Sequence, residues 1–461
     1  MRVVVVGGGI AGLSAALEVR ALAPGAELVV LEASTRLGGK VAVSEVGGLA
    51  VDEGADSMLT RVPDGLELAR GAGVAAELVA PATGAASLWT RGRLRPLPAG
   101  TLLGLPTDLA ALARSEVLSS RGLSRVPLDL VLPGEPVRDD VSVGALVRRR
   151  FGGEVVERLV DPLLGGVYAG RADELSLWAT LPALVRPLAS ERSLLLAARA
   201  ARAGTPPPDG PLFASLPGGL GRLPAAAAAR SGAQVRLHTT VRELTRTATG
   251  WALTVGSAAA PERLYADAVV LAVPGPAAAR LLTPLVPGPA AELAALAYAS
   301  VALVTLVLDG PAPGAGSGYL VPALEGRTTK AVTFSSRKWP HLAGPRAVVR
   351  ASVGRAGETA VLQQGDAELV AAVREELALA VGPLPRLVDS RVVRWGGGLP
   401  QYAVGHLDRV ARLRAALTAH PGLAVAGAAY DGVGVPACAR SGRTAARIAL
   451  AALPGGPGSG R

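Results

Sequence analysis

One cysteine, Cys438, stands in 461 residues, so the chain can hold no internal disulfide and no thiolate metal site. Histidine is almost as scarce, and His238, His341, His406 and His420 show no ligand spacing, so no metal is expected. Lysine occurs only at Lys40, Lys330 and Lys338, so the formal charge of +10 is carried by arginine. Aromatic residues make up 3% of the chain, too few to interleave a basic surface with stacking platforms, so no nucleic-acid partner is expected. The charge reads first as a basic solvated surface; an anionic substrate or an anionic membrane surface are the functional alternatives. No run of about 18 apolar residues is present, which excludes a spanning helix and leaves at most peripheral membrane contact. The first strand-like stretch opens at Arg2, so no signal peptide is expected, and with the lone cysteine this points to the cytoplasm.

What is present is a globular composition. Half of the residues are hydrophobic, and the 58 Gly and 36 Pro punctuate apolar runs rather than forming low-complexity tracts. At this length two or three structural units are expected.

The strongest local signal opens the chain. Arg2–Val6 is a short β-branched run, followed at once by Gly7-Gly8-Gly9-Ile10-Ala11-Gly12 and a helical stretch through Leu17. This is G-x-G-x-x-G in its required setting, after a strand and opening a helix. Gly7 makes the tight turn, Gly9 lets the backbone approach a pyrophosphate, and Gly12 lets helix and strand pack closely. The pyrophosphate then sits at the positive end of the helix. A second strand, 26–31, ends in Glu32, twenty positions after Gly12, where a carboxylate accepts hydrogen bonds from ribose hydroxyls. Downstream, Arg36-Leu37-Gly38-Gly39-Lys40 and Gly54-Ala55-Asp56-Ser57 add glycine loops suited to close approach to a second phosphate.

The chain then returns twice to the same sheet. Residues 233–237, 251–255 and 264–273 read as strands, with Pro274 as a stop, and fit a β-meander joined to the first domain. Near the end, the strand 423–426 leads into Gly427, then Asp431-Gly432-Val433-Gly434-Val435-Pro436 and a helix over 439–453. This second strand, Gly-rich turn and helix N-terminus suits an electron-rich ring edge.

The Arg-x-Gly-Gly stretch after Glu32 resembles the flavin amine oxidase and protoporphyrinogen oxidase superfamily. Further stretches narrow the likeness: 158–170, containing Asp161-Pro162-Leu163-Leu164-Gly165-Gly166-Val167-Tyr168-Ala169-Gly170; Phe334-Ser335-Ser336-Arg337-Lys338-Trp339-Pro340-His341; Arg394-Trp395 with the run from Pro400 to His406; and Tyr430 to Pro436. Together they resemble the bacterial porphyrinogen oxidases of haem synthesis, nearest to the soluble, oxygen-dependent Gram-positive type that acts on coproporphyrinogen III. The likeness runs over roughly residues 2–450. Ala437 departs from it, the family usually having Asp before the Cys, so no role for that carboxylate carries over. Gly396-Gly397-Gly398 departs as well and suggests a looser loop.

The resemblance implies an α/β fold: a discontinuous Rossmann-type FAD-binding domain (1–62, 205–285, 405–461), a helical lobe (63–200) and a mixed-sheet substrate-binding domain (286–404), with Thr205 to Gly210 as a linker. It implies non-covalent FAD contacted by Gly7, Gly9, Gly12, Glu32, Ala33, Arg36, Gly39, Lys40, Gly54, Ala55, Asp56, Ser57, Val241, Trp395, Gly427, Val433, Gly434 and Val435. It also implies a porphyrinogen substrate, O2 as acceptor with hydrogen peroxide formed, and a transient contact with a ferrochelatase. No catalytic side chain is expected, since the flavin takes the hydride. Arg61, after the Gly54–Ser57 loop, is the candidate clamp for a substrate propionate. A protoporphyrinogen IX oxidase remains an alternative, as do another oxidase or desaturase of the superfamily and a non-catalytic flavin-binding scaffold or haem-pathway chaperone. An amine oxidase would want an aromatic cage, for which six Tyr and three Phe leave little material.

Overall fold

The computed structural model describes residues 1–204, 210–451 and 453, so Thr205 to Asp209 of the expected linker lie outside the described residues. The strand Arg2–Val6 is the centre of a five-stranded parallel sheet. Its spatial order is Leu423–Val425, Ala268–Leu271, Arg2–Val6, Glu27–Leu31, Gln234–Arg236. Such a sheet is covered on both faces, which is why these strands read as apolar runs and not as alternations. Val3 and Val5 pack with the helices Ile10–Leu22 and Val435–Ala451 on one face. Val4 and Val6 pack on the other, against the antiparallel meander Val241–Arg246, Trp251–Gly256, Pro261–Ala266 and the helices Gly275–Leu282 and His406–Leu417.

The first and last helices touch through small residues. A Cβ on Gly442 would lie 2.0 Å from the carbonyl oxygen of Ala11, and one on Gly12 would lie 1.9 Å from that of Gly7. The Ser14 hydroxyl donates across this contact to the Ala439 carbonyl at 2.8 Å.

A second, seven-stranded sheet runs Arg386–Pro400, Tyr298–Asp309, Ala347–Val353, Thr329–Thr333, Gly318–Leu320, Ala86–Thr90, Arg93–Pro96. All its pairings are antiparallel except that between Gly318–Leu320 and Ala86–Thr90, and the helix Asp366–Val381 covers one face. The hairpin 86–96 corrects the expected lobe of 63–200, because its strands complete this sheet. The helical lobe packs around a core that runs from Leu105 through Ala201 and takes in Leu88 of the hairpin and Tyr402. The expected loop at Gly396–Gly398 is a strand end: Arg386–Pro400 continues through it, with an irregular register opposite Ala299 and Val301. Gly397 takes a φ of 56° there, and its N–H donates to the Ser300 hydroxyl at 2.9 Å. Among the described residues no helix is long and apolar enough to cross a membrane.

Because Gly442 leaves no room for a methyl group, Gly442→Ala is expected to cost about 1–3 kcal/mol. The check is urea unfolding: the midpoint falls with the slope unchanged. An unaltered midpoint would mean that the helix pair is free to move apart.

Candidate active site

The C-terminal ends of the central strands open onto a cleft of about 610 Å3, lined by Val6, Leu31 and Ala272 at its floor. In open α/β sheets ligands bind at this edge. The helix Ile10–Leu22 points its N-terminus at the cleft from Gly9, with no side chain capping it. A Cβ at Gly9 would meet nothing within 4 Å, so the space above this helix end is open to a phosphate.

Glu32 sits at the rim with both oxygens engaged. One accepts the Gly8 N–H at 2.7 Å and the other the Ser34 N–H at 2.8 Å, so the carboxylate ties the glycine turn to the end of the second strand. Carboxylate oxygens keep further lone pairs, and Glu32 presents them to the cleft. Its own backbone carbonyl takes the Thr239 N–H at 2.8 Å, which places the start of the meander and Val241 at the same wall.

Arg36 serves the loop around it. Its guanidinium donates to the carbonyls of Gly39 at 2.8 Å and Leu37 at 3.1 Å and lies 5.7 Å from the Trp395 ring centroid, a cation–π distance. Trp395 in turn donates its ring N–H to the Glu53 carbonyl at 2.7 Å, so the second sheet closes one side of the cleft. The Lys40 side chain lines the cleft with no hydrogen bond or ion pair among the described residues, and desolvation lowers its pKa.

The opposite wall comes from the chain's end. The Ser441 hydroxyl accepts the Gly427 N–H at 3.1 Å and donates to Asp431 at 2.7 Å, and Arg414 holds the same carboxylate at 2.6 Å. That network fixes the turn carrying Val433, Gly434 and Val435, where the last helix begins, so a second helix N-terminus faces the cleft. Burial pushes the Cys438 thiol up to about 11.

Fifteen of the eighteen residues expected at the cofactor line the cleft: Gly7, Gly9, Glu32, Ala33, Arg36, Gly39, Lys40, Ala55, Ser57, Val241, Trp395, Gly427, Val433, Gly434 and Val435. Gly12, Gly54 and Asp56 do not, and each shapes a neighbour that does. Gly12 admits the Gly7 carbonyl, and Gly54 packs on the Lys40 carbonyl, which a Cβ would approach to 1.9 Å. Asp56 turns to the second sheet, where its carboxylate takes Lys338 at 2.9 Å, the Trp339 ring N–H at 3.2 Å and Arg350 at 3.5 Å. Although burial opposes it, these partners hold the Asp56 carboxyl well below the usual carboxylate range; neighbouring Asp52 is pushed up to about 7, first by desolvation. Arg61 is exposed in the turn before the helix Pro63–Gly71, outside the cleft lining and without an ion pair among the described residues.

Arg280, Tyr298 and Thr239 line the cleft without having been singled out in the sequence. Arg280 had a readable signal: its helix follows the strand that Pro274 ends, and any helix following a strand of a parallel sheet starts at the ligand edge. Tyr298 had none, since its hydroxyl reaches the cleft by accepting the Gly275 N–H at 2.8 Å, a tertiary contact. No histidine and no pair of carboxylates line the cleft, and among the described residues no group of side chains could hold a metal.

Residues 10–450 match the family of flavin containing amine oxidoreductases. The chain belongs to this family. It is 37% identical over 453 residues to a coproporphyrinogen III oxidase of Mycobacterium tuberculosis, covering 97% of each chain. To the coproporphyrinogen III oxidase of Bacillus subtilis it is 34% identical over 481 residues, covering 98% of each. A solved structure from Exiguobacterium sp. 255-15, provisionally assigned as a protoporphyrinogen oxidase, superposes with a TM-score of 0.85 at 34% identity, covering 96% of this chain and 97% of that one. The chain is therefore a flavin oxidoreductase.

Asp56→Ala leaves Lys338 and Arg350 without their buried carboxylate and is expected to cost about 3–5 kcal/mol at pH 7. A depressed native pKa contributes stability that is whole above the ordinary carboxylate pKa and fades as pH falls towards the native value. The gap in unfolding free energy between parent and variant should thus narrow below about pH 4; a gap that stays constant on acidification would refute the ion cluster as its source.

Proposed function

We propose that this protein oxidises coproporphyrinogen III to coproporphyrin III in haem biosynthesis, using non-covalently bound FAD and passing six electrons to O2 with hydrogen peroxide formed. The observation that carries this reading is the make-up of the cleft: two helix N-termini and a ribose-type carboxylate around an apolar lining, without an acid–base pair. It occurs on a chain that matches coproporphyrinogen III oxidases along nearly its whole length.

A porphyrinogen loses a hydride from a bridging carbon and a proton from a pyrrole nitrogen, and the aromaticity gained drives the change. Bound flavin would supply the hydride acceptor, and three two-electron rounds consume three O2. The residues here then have two tasks. Gly9 and the first helix, with Glu32, would hold the pyrophosphate and ribose, as Arg36, Gly39, Lys40, Ala55 and Ser57 would hold the neighbouring part. Val433–Val435 would turn backbone N–H groups to the ring edge that gains negative charge. Non-covalent binding is supported by Cys438, whose thiol is pushed up to about 11 by burial and is directed at the Gly432 carbonyl at 3.7 Å. The four propionates of the substrate suit a chain of charge +10, with Arg61 as one clamp. A cytoplasmic location, and a handover of product to a ferrochelatase, complete the reading.

The second reading, protoporphyrinogen IX oxidation, is favoured by the Exiguobacterium structure. Assaying porphyrin fluorescence and peroxide with both porphyrinogens separates the two. A propionate met by an arginine adds about 1.5–3 kcal/mol, and about 1.4 kcal/mol is a tenfold ratio. We expect kcat/KM at least about tenfold higher for coproporphyrinogen III on that account, with peroxide appearing alongside porphyrin. Equal or reversed ratios would move the assignment to the second reading.

Glu32→Ala is expected to cost about 1.5–3 kcal/mol of FAD binding, the size of a hydrogen bond to a charged group. The measurement is flavin titration of the apoprotein, and an unchanged dissociation constant would remove Glu32 from the cofactor site.

A further inference from the structure

Away from the cleft, the helical lobe and the second sheet meet around a small cavity of about 20 Å3. It is lined by Asp161 and Gly165 of the helix Asp161–Tyr168, by Arg171, by Lys330 of the strand Thr329–Thr333, and by Arg355 beyond the strand Ala347–Val353. Lys330 is only 7% exposed; its ammonium keeps a little contact with accessible space and has no hydrogen bond or ion pair among the described residues. Its neighbours are committed elsewhere. Arg171 and Arg355 share Glu358, at 3.0 and 3.4 Å, and Arg355 also donates to the Val321 carbonyl at 3.1 Å. The Asp161 carboxylate takes the Ala172 N–H at 2.6 Å, and Glu376 takes the N–H groups of Thr328 and Thr329 at 2.8 and 2.9 Å.

An ammonium removed from water without a partner is costly, and the cost is met either by loss of its proton or by a counter-ion. Of the residues lining the cavity, three are cationic, Lys330, Arg171 and Arg355, and one is a carboxylate, Asp161; Glu358 stands outside the lining and is shared by the two guanidinium groups. The volume suits one small occupant. We infer that this cavity binds a single small inorganic anion, of the size and charge of chloride, between Lys330 and the guanidinium groups of Arg171 and Arg355. The anion would tie the helical lobe to the second sheet at the helix that ends in Ala169, a buried non-glycine residue held at a φ of 53°.

The site couples anion to proton. Burial, with Arg355 adding to it and Glu358 opposing, brings Lys330 down to about 7; the carboxyl of Asp161 is raised by its own desolvation, opposed by Arg171 and Arg355, so it competes less for the ammonium. A base whose native pKa is lowered destabilises the fold below that value, and the cost fades as pH rises towards its unfolded pKa. An anion relieves that cost only where Lys330 is charged, so it binds more tightly at pH 6 than at pH 9.

The test is the thermal midpoint of the full-length flavin-loaded protein in sodium chloride against sodium gluconate at equal ionic strength. Gluconate cannot enter the cavity. In the parent, chloride should raise the midpoint by about 1–3 °C over gluconate at pH 6 and by less at pH 9. In Lys330→Met the chloride-specific difference should vanish. Equal midpoints in the two salts for the parent, or a chloride-specific rise that survives in Lys330→Met, would overturn the site. Should the variant not fold, crystals of the parent soaked in sodium bromide decide: an anomalous peak beside the Lys330 ammonium supports the inference, and its absence ends it. Neither readout depends on porphyrinogen turnover, so failure here leaves the functional reading where it stands.

Discussion

The contact between the first and last helices is the constraint on which the rest depends. The Ala11 carbonyl sits where a side chain on Gly442 would be, and the two helices share one buried layer of alanines over the parallel sheet. With the helices that close, Leu423–Val425 can join Ala268–Leu271 in the sheet, and the turn at Val433–Val435 lands opposite the turn at Gly9. A cleft with a helix N-terminus on each side is thus a consequence of small-residue packing some distance below it. Ala449 and Leu450 belong to the same buried layer as Val3 and Val5, so the two ends of the described chain are packed together beneath the site.

The second organising interaction joins the two sheets. Arg350 donates to the carbonyls of Asp52 at 2.8 Å and Gly54 at 2.9 Å, and with Lys338 and Trp339 it gathers Asp56. Trp395 reaches across to the Glu53 carbonyl. The short segment from Asp52 to Ser57 is therefore held by side chains from the second sheet while Ala55 and Ser57 face the cleft. This explains why the segment is glycine-bearing and acidic at once: Gly54 fits beneath Lys40, and the acids meet cations from the other sheet.

Legibility in the sequence follows the range of the interaction. The opening strand, glycine turn and helix are local, and their residues are found where the periodicity and motif put them, as are Glu32 and the turn at Gly427–Val435. Asp56 was legible as part of the site's loop but not in its direction, because the cations that attract it are almost 300 residues away in sequence. The hairpin at 86–96 was hidden for a similar reason: its strands are short, and their partner Gly318–Leu320 lies far along the chain. Gly396–Gly398 looked like a loop because glycine is disfavoured in strands, yet pairing with Tyr298–Asp309 carries the strand through it. Local chemistry predicts what a segment can do, and tertiary partners decide which way its side chains turn.

The arginine content can be understood in the same terms. A guanidinium that clamps a substrate must be free of carboxylates, yet many arginines here are already engaged: Arg150 with Asp129, Arg158 with Glu325, Arg414 with Asp431, Arg443 with Asp64 and Glu67. Arg158 with Glu325 and Arg443 with Asp64 and Glu67 join segments far apart in sequence, so part of the basic composition is structural cross-linking and not an open field for anions. Arg61 and Arg280 differ, both exposed and without a carboxylate partner among the described residues, one on the turn after the Gly54–Ser57 loop and one in the cleft wall. Net charge alone therefore does not place an anion, because the engaged arginines are spread through the fold while Arg280 stands unpaired in the cleft wall.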